Sequence, residues 1–138
     1  WALANDCRVE LITENDATPC WVRGDRIVLV RALSNLLSNA IKYGPRQSQV
    51  SCRVTLESGA AGRQLRCDIR DHGPGLSEAD LRQLFTPFYR SAGKAQHGAG
   101  LGLSFVRTVL DHHGGSVSAA NADGGGACFT VLLPCVPE

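Results

Sequence analysis

Between Leu29 and Ile41 the apolar residues recur at three- and four-residue steps: Leu29, Leu33, Leu36, Leu37, Ala40 and Ile41. That spacing predicts an amphipathic helix with one face toward a core. Asp25 suits its N-cap, and the helix is expected to run to about Lys42, where Gly44-Pro45 stops it. Asn35, Asn39 and Lys42 fall at i, i+4 and i+7, on one side of the helix. Asn is a below-average helix former, because its amide competes for local backbone groups. Two Asn followed by Lys place amide oxygens and a cation in a row, a set that suits a metal-bound polyphosphate. A solvated polar face is the alternative, and the helix by itself does not decide between them.

Elsewhere the pattern alternates. A strand is expected from about Cys7 to Thr13, then a turn cluster at Asn15-Asp16-Ala17-Thr18-Pro19 and a short edge strand at Trp21-Val22. Gln49 to Glu57 carries Val50, Cys52, Val54 and Leu56 on one face, and Gln64 to Arg70 carries Leu65, Cys67 and Ile69. With Ser58 to Gly62 between them, these predict an antiparallel hairpin with one buried face. Ser77 is expected to cap a short helix, with Asp80 in the capping-box position and Leu81, Leu84 and Phe85 on its apolar side. A further helix is expected from about Leu101 to His113, with Leu103, Val106, Val109 and Leu110 inward and Gly114-Gly115 at its end. Val117 to Ala120 and Cys128 to Leu133 read as strands around an Asp123-Gly-Gly-Gly turn. Together these describe one α/β (α+β) domain over residues 1–138, a two-layer sandwich with a mixed, mostly antiparallel sheet covered on one face by about three helices.

Bulk properties narrow the class. The 138 residues suffice for one domain with a sizeable core, and 43% hydrophobic with 20% charged residues is ordinary for a globular protein. A formal net charge of +1 argues for neither nucleic acid nor a membrane surface as partner. There is no apolar run of membrane-spanning length, and no signal-peptide pattern at Trp1 to Cys7. The six Cys include no Cys-x-x-Cys pair and no zinc-ligand spacing, and a disulfide framework is not expected. Without any Met, the chain is read as a domain of a longer protein.

Two glycine segments carry candidate chemistry. Asp71 ends a strand and precedes Gly73-x-Gly75. A carboxylate there can accept a hydrogen bond from an exocyclic amine, and the glycines allow a flat ring to approach the backbone. A tight turn with a solvated Asp is the competing reading. Gly98-x-Gly100-x-Gly102 precedes a helix, where exposed N–H groups and the helix dipole favour phosphate. It departs from the dinucleotide fingerprint, since position 103 is Leu, and no Walker P-loop occurs. A flexible hinge is the competing reading here.

Taken in order, the Asn35/Asn39/Lys42 helix, Asp71-x-Gly-x-Gly, Phe85-x-x-Phe88 and Gly98-x-Gly-x-Gly-Leu resemble the catalytic, ATP-binding domain of sensor histidine kinases over nearly the whole chain. That family shares its Bergerat-type ATP fold with gyrase, the Hsp90 chaperone and MutL. The resemblance implies ATP and Mg²⁺ as cofactors. It implies that Asn39 gives its amide oxygen to Mg²⁺, that Asn35 supports the metal or its waters, and that Lys42 and Tyr43 face phosphate and ribose. Asn35, Asn39 and Lys42 would form the catalytic group. Asp71 would take the adenine amine, with Gly73 and Gly75 shaping its slot. Phe85 and Phe88 would form an aromatic box in an ATP lid, with Arg90 as a phosphate contact. Gly98, Gly100 and Gly102 would hinge that lid and cradle phosphate, with Leu101 and Leu103 among the nucleotide-contacting positions. Residues from about Leu76 to Ala99 are expected to be poorly ordered without nucleotide.

Position 35 selects within the superfamily. The hydrolysing relatives carry a water-activating Glu four residues before the metal-binding Asn; here it is Asn, a poor general base. Slow hydrolysis would leave the γ-phosphate for another acceptor. No His in the chain has an acidic residue after it, as the family's acceptor usually does, so autophosphorylation on His is not expected of the isolated chain. The implied partners are the dimerisation and phosphoacceptor domain of the same protein and, through the full kinase, a response regulator. No nucleic acid is implied, and the isolated domain is expected to be monomeric and cytoplasmic, its parent anchored in the inner membrane. The alternatives are a degenerate nucleotide- or partner-binding regulatory module, a hydrolytic ATPase of the same fold, and an anti-sigma-factor kinase, which the Phe box disfavours.

Overall fold

A computed structural model describes residues 10–15, 21–43, 49–59, 62–89 and 102–136. Strand β1 (Glu10–Asn15) leads to helix α1 (Arg26–Tyr43). The hairpin β2 (Gln49–Gly59) and β3 (Gly62–Arg70) follows. Helices α2 (Glu78–Gln83) and α3 (Gly102–His112) precede β4 (Ser116–Asn121) and β5 (Ala127–Pro134). The five strands form one sheet in the order β1-β2-β3-β5-β4. Only β1 and β2 run parallel, and a parallel pair needs a crossover, which α1 supplies.

Side-chain alternation puts one set of strand residues under the helices. Val50, Cys67, Ile69, Phe129, Val131 and Leu133 share a buried cluster with Ala32, Leu36, Ala40 and Ile41 of α1 and Val106, Val109 and Leu110 of α3. The register lines these residues up: Leu65 opposes Leu133, Cys67 opposes Val131 and Ile69 opposes Phe129. The opposite face is polar and internally paired. Arg66 Nε donates to Asp68 Oδ2 at 2.9 Å, Thr130 Oγ1 to Asp68 Oδ1 at 2.7 Å, and Gln64 Nε2 to Glu57 Oε1 at 2.7 Å.

The helix ends follow the expected chemistry. Asp25 Oδ1 accepts from the N–H groups of Ile27 and Val28 at 3.0 and 3.2 Å, so it is the N-cap of α1. The α3 end is a Schellman motif, with Gly115 N–H donating to Leu110 C=O at 2.9 Å and Gly114 N–H to Asp111 C=O at 3.3 Å. The two helices are tied at these ends. His113 accepts the Asp25 N–H on Nε2 at 3.0 Å, while its Nδ1 lies 2.7 Å from Val109 C=O, a pairing that places the proton on Nδ1.

Four expectations shift. The first strand runs to Asn15 rather than ending at Thr13, because its C-terminal residues continue in register with β2 as far as Asn15 opposite Val54; its expected start at Cys7 lies outside the described residues. Gly59 and Gly62 pair with each other, so the hairpin connection is tighter than the Ser58 to Gly62 turn. Leu81 is exposed, and only Leu84 and Phe85 from that stretch pack against the core. Trp21 contributes an isolated bridge to Val136 rather than a strand.

Candidate functional site

Asp71 follows the last residue of β3. Its N–H donates to Ala127 C=O at 3.0 Å, and Ala127 N–H donates back to Asp71 Oδ1 at 3.1 Å. Gly73 N–H adds a second bond to the same oxygen at 2.8 Å, closing an Asx turn. The residue is only 6% exposed. Burying a carboxylate is costly unless its charge is met by donors, and these two amides supply them on Oδ1. Oδ2 receives no bond from a described residue, and among the described residues the only buried side-chain nitrogen or oxygen lacking a partner is Arg70 Nε. Oδ2 is therefore not committed to any described donor. An anchored carboxylate with one committed oxygen and one open oxygen is an acceptor set for a ligand N–H.

The loop after Asp71 is shaped by a second segment. Gly75 has φ +81°, and a Cβ there would lie 2.8 Å from Asn121 Oδ1. Asn121, at the end of β4, accepts Leu76 N–H on Oδ1 at 2.6 Å and donates through Nδ2 to Leu76 C=O at 2.9 Å. Gly126, with φ +84°, passes so close over the Asp71 carbonyl that no Cβ fits between them. The sequence shows Asn121 only as a strand end and the triple glycine only as a turn. Three successive glycines beside a strand were the one signal that a close backbone approach occurs there.

Asn35 and Asn39 stand on α1 as expected, half-buried and four residues apart. Lys42 and Tyr43 belong to the last turn of α1, and their side chains lie outside the described part of the structure. Gly102 opens α3, and no atom lies within 4 Å of where its Cβ would sit, so local packing does not demand glycine there. Arg90, Gly98, Gly100 and Leu101 lie outside the described residues. Leu103 is half-buried and packs against the core. Phe85 also packs inward, edge-on to Phe129 with ring centroids 6.2 Å apart and planes at 84°. Phe88 is different: 68% exposed, with φ +65°, a left-handed backbone that a bulky residue rarely adopts.

The expected disorder from Leu76 onward does not describe the first half of that stretch. Ser77 Oγ accepts from Asp80 N–H at 3.1 Å, and Asp80 Oδ2 accepts from Ser77 N–H at 3.0 Å, a complete capping box. Tyr89 Oη donates to Asp80 Oδ1 at 2.7 Å, a bond that raises the tyrosine's pKa. With Leu76 held by Asn121 and Phe85 by Phe129, residues 76–89 form a built element.

The profile described as histidine kinase-, DNA gyrase B-, and HSP90-like ATPase matches residues 24–137. The chain belongs to this family. It is a catalytic, ATP-binding domain of the sensor histidine kinase type. Over 105 residues it is 41% identical to the sensor protein KdpD of Escherichia coli K12, a match covering 75% of this chain and 11% of KdpD. It is 37% identical over 120 residues to the sensor-like histidine kinase SenX3 of Mycobacterium tuberculosis H37Rv, covering 85% of this chain and 28% of SenX3. The chain thus spans a minor part of the curated relatives it matches. The solved structure of the mycobacterial sensor histidine kinase MprB superposes with a TM-score of 0.83 at 29% identity, covering 99% of this chain and 89% of that one. Among the described residues no helix is long and apolar enough to cross a membrane.

Proposed function

We propose that this histidine-kinase domain binds Mg·ATP and donates the γ-phosphoryl group to a histidine on the dimerisation domain of its parent sensor kinase. The parent, on this reading, is anchored in the inner membrane, signals to a response regulator, and keeps this domain in the cytoplasm. The observation that carries the nucleotide half is Asp71, whose Oδ1 is filled by the Gly73 and Ala127 amides while Oδ2 is left open beside a glycine loop. An exocyclic amine is the donor that such an oxygen selects.

The phosphate end belongs to α1 and the start of α3. Among the described residues no three His, Cys, Asp or Glu gather into a metal site. That fits Mg²⁺, which takes one or two protein oxygens and completes its shell with phosphates and water. The Asn39 amide oxygen suits that hard cation, with Asn35 one turn away to orient a water. When bound, the ion neutralises phosphate charge. The chain's own part is positioning: Asp71 fixes the base, while Lys42, Arg90 and the Gly98-x-Gly100-x-Gly102 amides, with Leu101 and Leu103 alongside, hold the phosphates. Tyr43 covers the ribose side, and Phe88, exposed beside α2, belongs to the segment that closes over nucleotide. Asn35 offers no general base, so water is poorly activated and the phosphoryl group is kept for the acceptor.

Calorimetry tests the reading directly. The chain is expected to bind ATP more tightly with Mg²⁺ than with chelator, and Asn39→Ala to erase that difference while ATP still binds. A folded chain that binds no ATP in either condition would end the proposal. Radiolabel transfer from γ-labelled ATP to the histidine of an added dimerisation domain, and none to this chain alone, is the second expected result.

A further inference from the structure

We infer that Asn121 and Arg70 are positioning residues for base recognition, acting through the Asp71–Leu76 loop; this rests on the reading of Asp71 as the adenine acceptor. The loop is tied at both ends to a single cross-strand pair. Its first residue, Asp71, exchanges backbone and side-chain bonds with Ala127, and its last, Leu76, is held by Asn121. Asn121 and Ala127 are partners of each other, the closing pair of the β4–β5 ladder. The Asn121 side chain uses its acceptor and its donor on one residue's N–H and C=O, as a neighbouring strand would. The base loop is thereby held across its full length by one rigid pair.

Arg70 fixes the turn that joins the two partners. It is the residue before Asp71, and its Nη2 donates to Asp123 C=O at 2.7 Å and to Gly125 C=O at 3.3 Å. Its Nε is buried without a partner, an unfavourable placement that a purely stabilising side chain has no reason to keep. Inside the same turn, Ala122 N–H donates to Gly126 C=O at 2.9 Å, and Gly126 lies against the Asp71 carbonyl. A turn pinned by Arg70 therefore sets the height of Ala127 N–H, and with it the direction in which Asp71 Oδ2 points. Neither side chain needs to touch the nucleotide. What they govern is the register of one carboxylate oxygen against an amine.

The test separates base recognition from phosphate binding and from folding. Calorimetry with Mg²⁺ would compare ATP, inosine triphosphate (which carries an oxygen in place of the amine) and inorganic tripolyphosphate on the 138-residue chain. Wild type is expected to prefer ATP over inosine triphosphate. Asn121→Ala is expected to weaken ATP about tenfold, the scale of two lost hydrogen bonds, to narrow the ATP preference by a similar factor, and to leave tripolyphosphate unchanged. Asn121→Asp keeps the acceptor for Leu76 N–H and should fall between. Arg70→Met removes the orphaned Nε with the pin, so it should melt close to wild type yet lose part of the ATP preference; it carries the test if Asn121→Ala does not fold. Equal weakening of ATP and tripolyphosphate, or an ATP preference unchanged in Asn121→Ala and Arg70→Met, would overturn the positioning role and leave the Asp71 assignment standing. A wild type that binds ATP and inosine triphosphate equally would overturn the Asp71 assignment itself, and the role with it.

Discussion

Replacing Asp71 separates the two jobs proposed for its two oxygens. Asp71→Ala strips the acceptor from Gly73 N–H and from the Ala127 N–H, which belongs to a buried residue. An orphaned buried donor costs about 1–3 kcal/mol, which applies to the Ala127 N–H; the part-buried Gly73 N–H adds about 1 kcal/mol at most, for roughly 1–4 kcal/mol in all. For a domain of this size each kcal/mol lowers Tm by about 3–5 °C, so a fall of roughly 3–20 °C is expected. Asp71→Asn keeps an amide oxygen for both donors. It loses only the charge-assisted part of those bonds, about 1 kcal/mol or a few degrees. Both variants lose the ligand contact. A hydrogen bond to a charged acceptor contributes about 1.5–3 kcal/mol, so ATP affinity should fall about 10- to 150-fold. In the Asn variant the atom replacing Oδ2 is itself a donor facing the adenine amine. Flipping the amide would instead set its NH₂ against the Gly73 and Ala127 N–H groups.

The assay is a thermal melt beside ATP calorimetry on both variants. The expected pattern is a stable Asp71→Asn that binds ATP poorly, and a destabilised Asp71→Ala that binds it no better. Asp71→Asn binding ATP at wild-type affinity would refute the assignment of Oδ2 to the base. Equal melting temperatures for the two variants would refute the claim that Oδ1 holds the loop. An alanine substitution alone cannot make this distinction, because it removes the slot along with the contact.

Asn35→Glu should convert the domain toward hydrolysis: ATP turnover measured by phosphate release is expected to rise at least tenfold, and no rise would remove position 35 as the determinant of transfer over hydrolysis. Cys52 and Cys67 lie with their Sγ atoms 3.5 Å apart, and the hydrogen bond from Cys67 lowers the Cys52 pKa to about 7, while that bond and burial push Cys67 up. Alkylation followed by mass spectrometry should therefore modify Cys52 before Cys67 and Cys128, with a rate that climbs as pH rises through about 7; a Cys52 rate that climbs only near pH 9 would contradict the pairing. Ser77→Ala should cost about 1 kcal/mol, or a few degrees of Tm, through loss of the α2 capping box, and an unchanged melt would show the box to be incidental.

Local signals were enough for most of the fold. The three- and four-residue steps of α1, the alternation of β2 and β3, the Ser77 to Asp80 box and the Gly114-Gly115 stop all act within a few residues, and each element stands close to where its pattern puts it. What shifted depends on partners elsewhere. Asn15 extends β1 because β2 offers Val54 opposite it, which no property of Asn15 announces. Leu81 has the same apolarity as Leu84, yet only Leu84 meets the core, because a helix of six residues presents too short a stripe to bury both. The built state of residues 76–89 has the same origin: the stretch expected to be poorly ordered is held by Asn121, 45 residues after Leu76, and by Phe129.

The same contrast decides the site. Asp71-x-Gly-x-Gly is legible because its chemistry is contained in five residues, yet those residues fit a tight turn with a solvated Asp equally well. The Asx bond to Gly73 belongs to both readings. Two facts absent from the motif favour the acceptor reading. A solvated turn would leave the side chain exposed, whereas Asp71 is 6% exposed. A buried carboxylate kept only for structure would place its strand donor on the second oxygen, since each uncommitted oxygen of a buried charge is a cost. Instead Ala127 N–H, 56 residues away, goes to the oxygen that Gly73 already occupies, and the other oxygen receives no bond from a described residue. Doubling the donors on one atom while leaving its twin open is unfavourable in the empty domain, and it becomes favourable when a ligand brings the missing donor. The observation that supports reading Asp71 as the base acceptor is therefore a long-range hydrogen bond to one particular oxygen, which the sequence can motivate but only the assembled sheet shows.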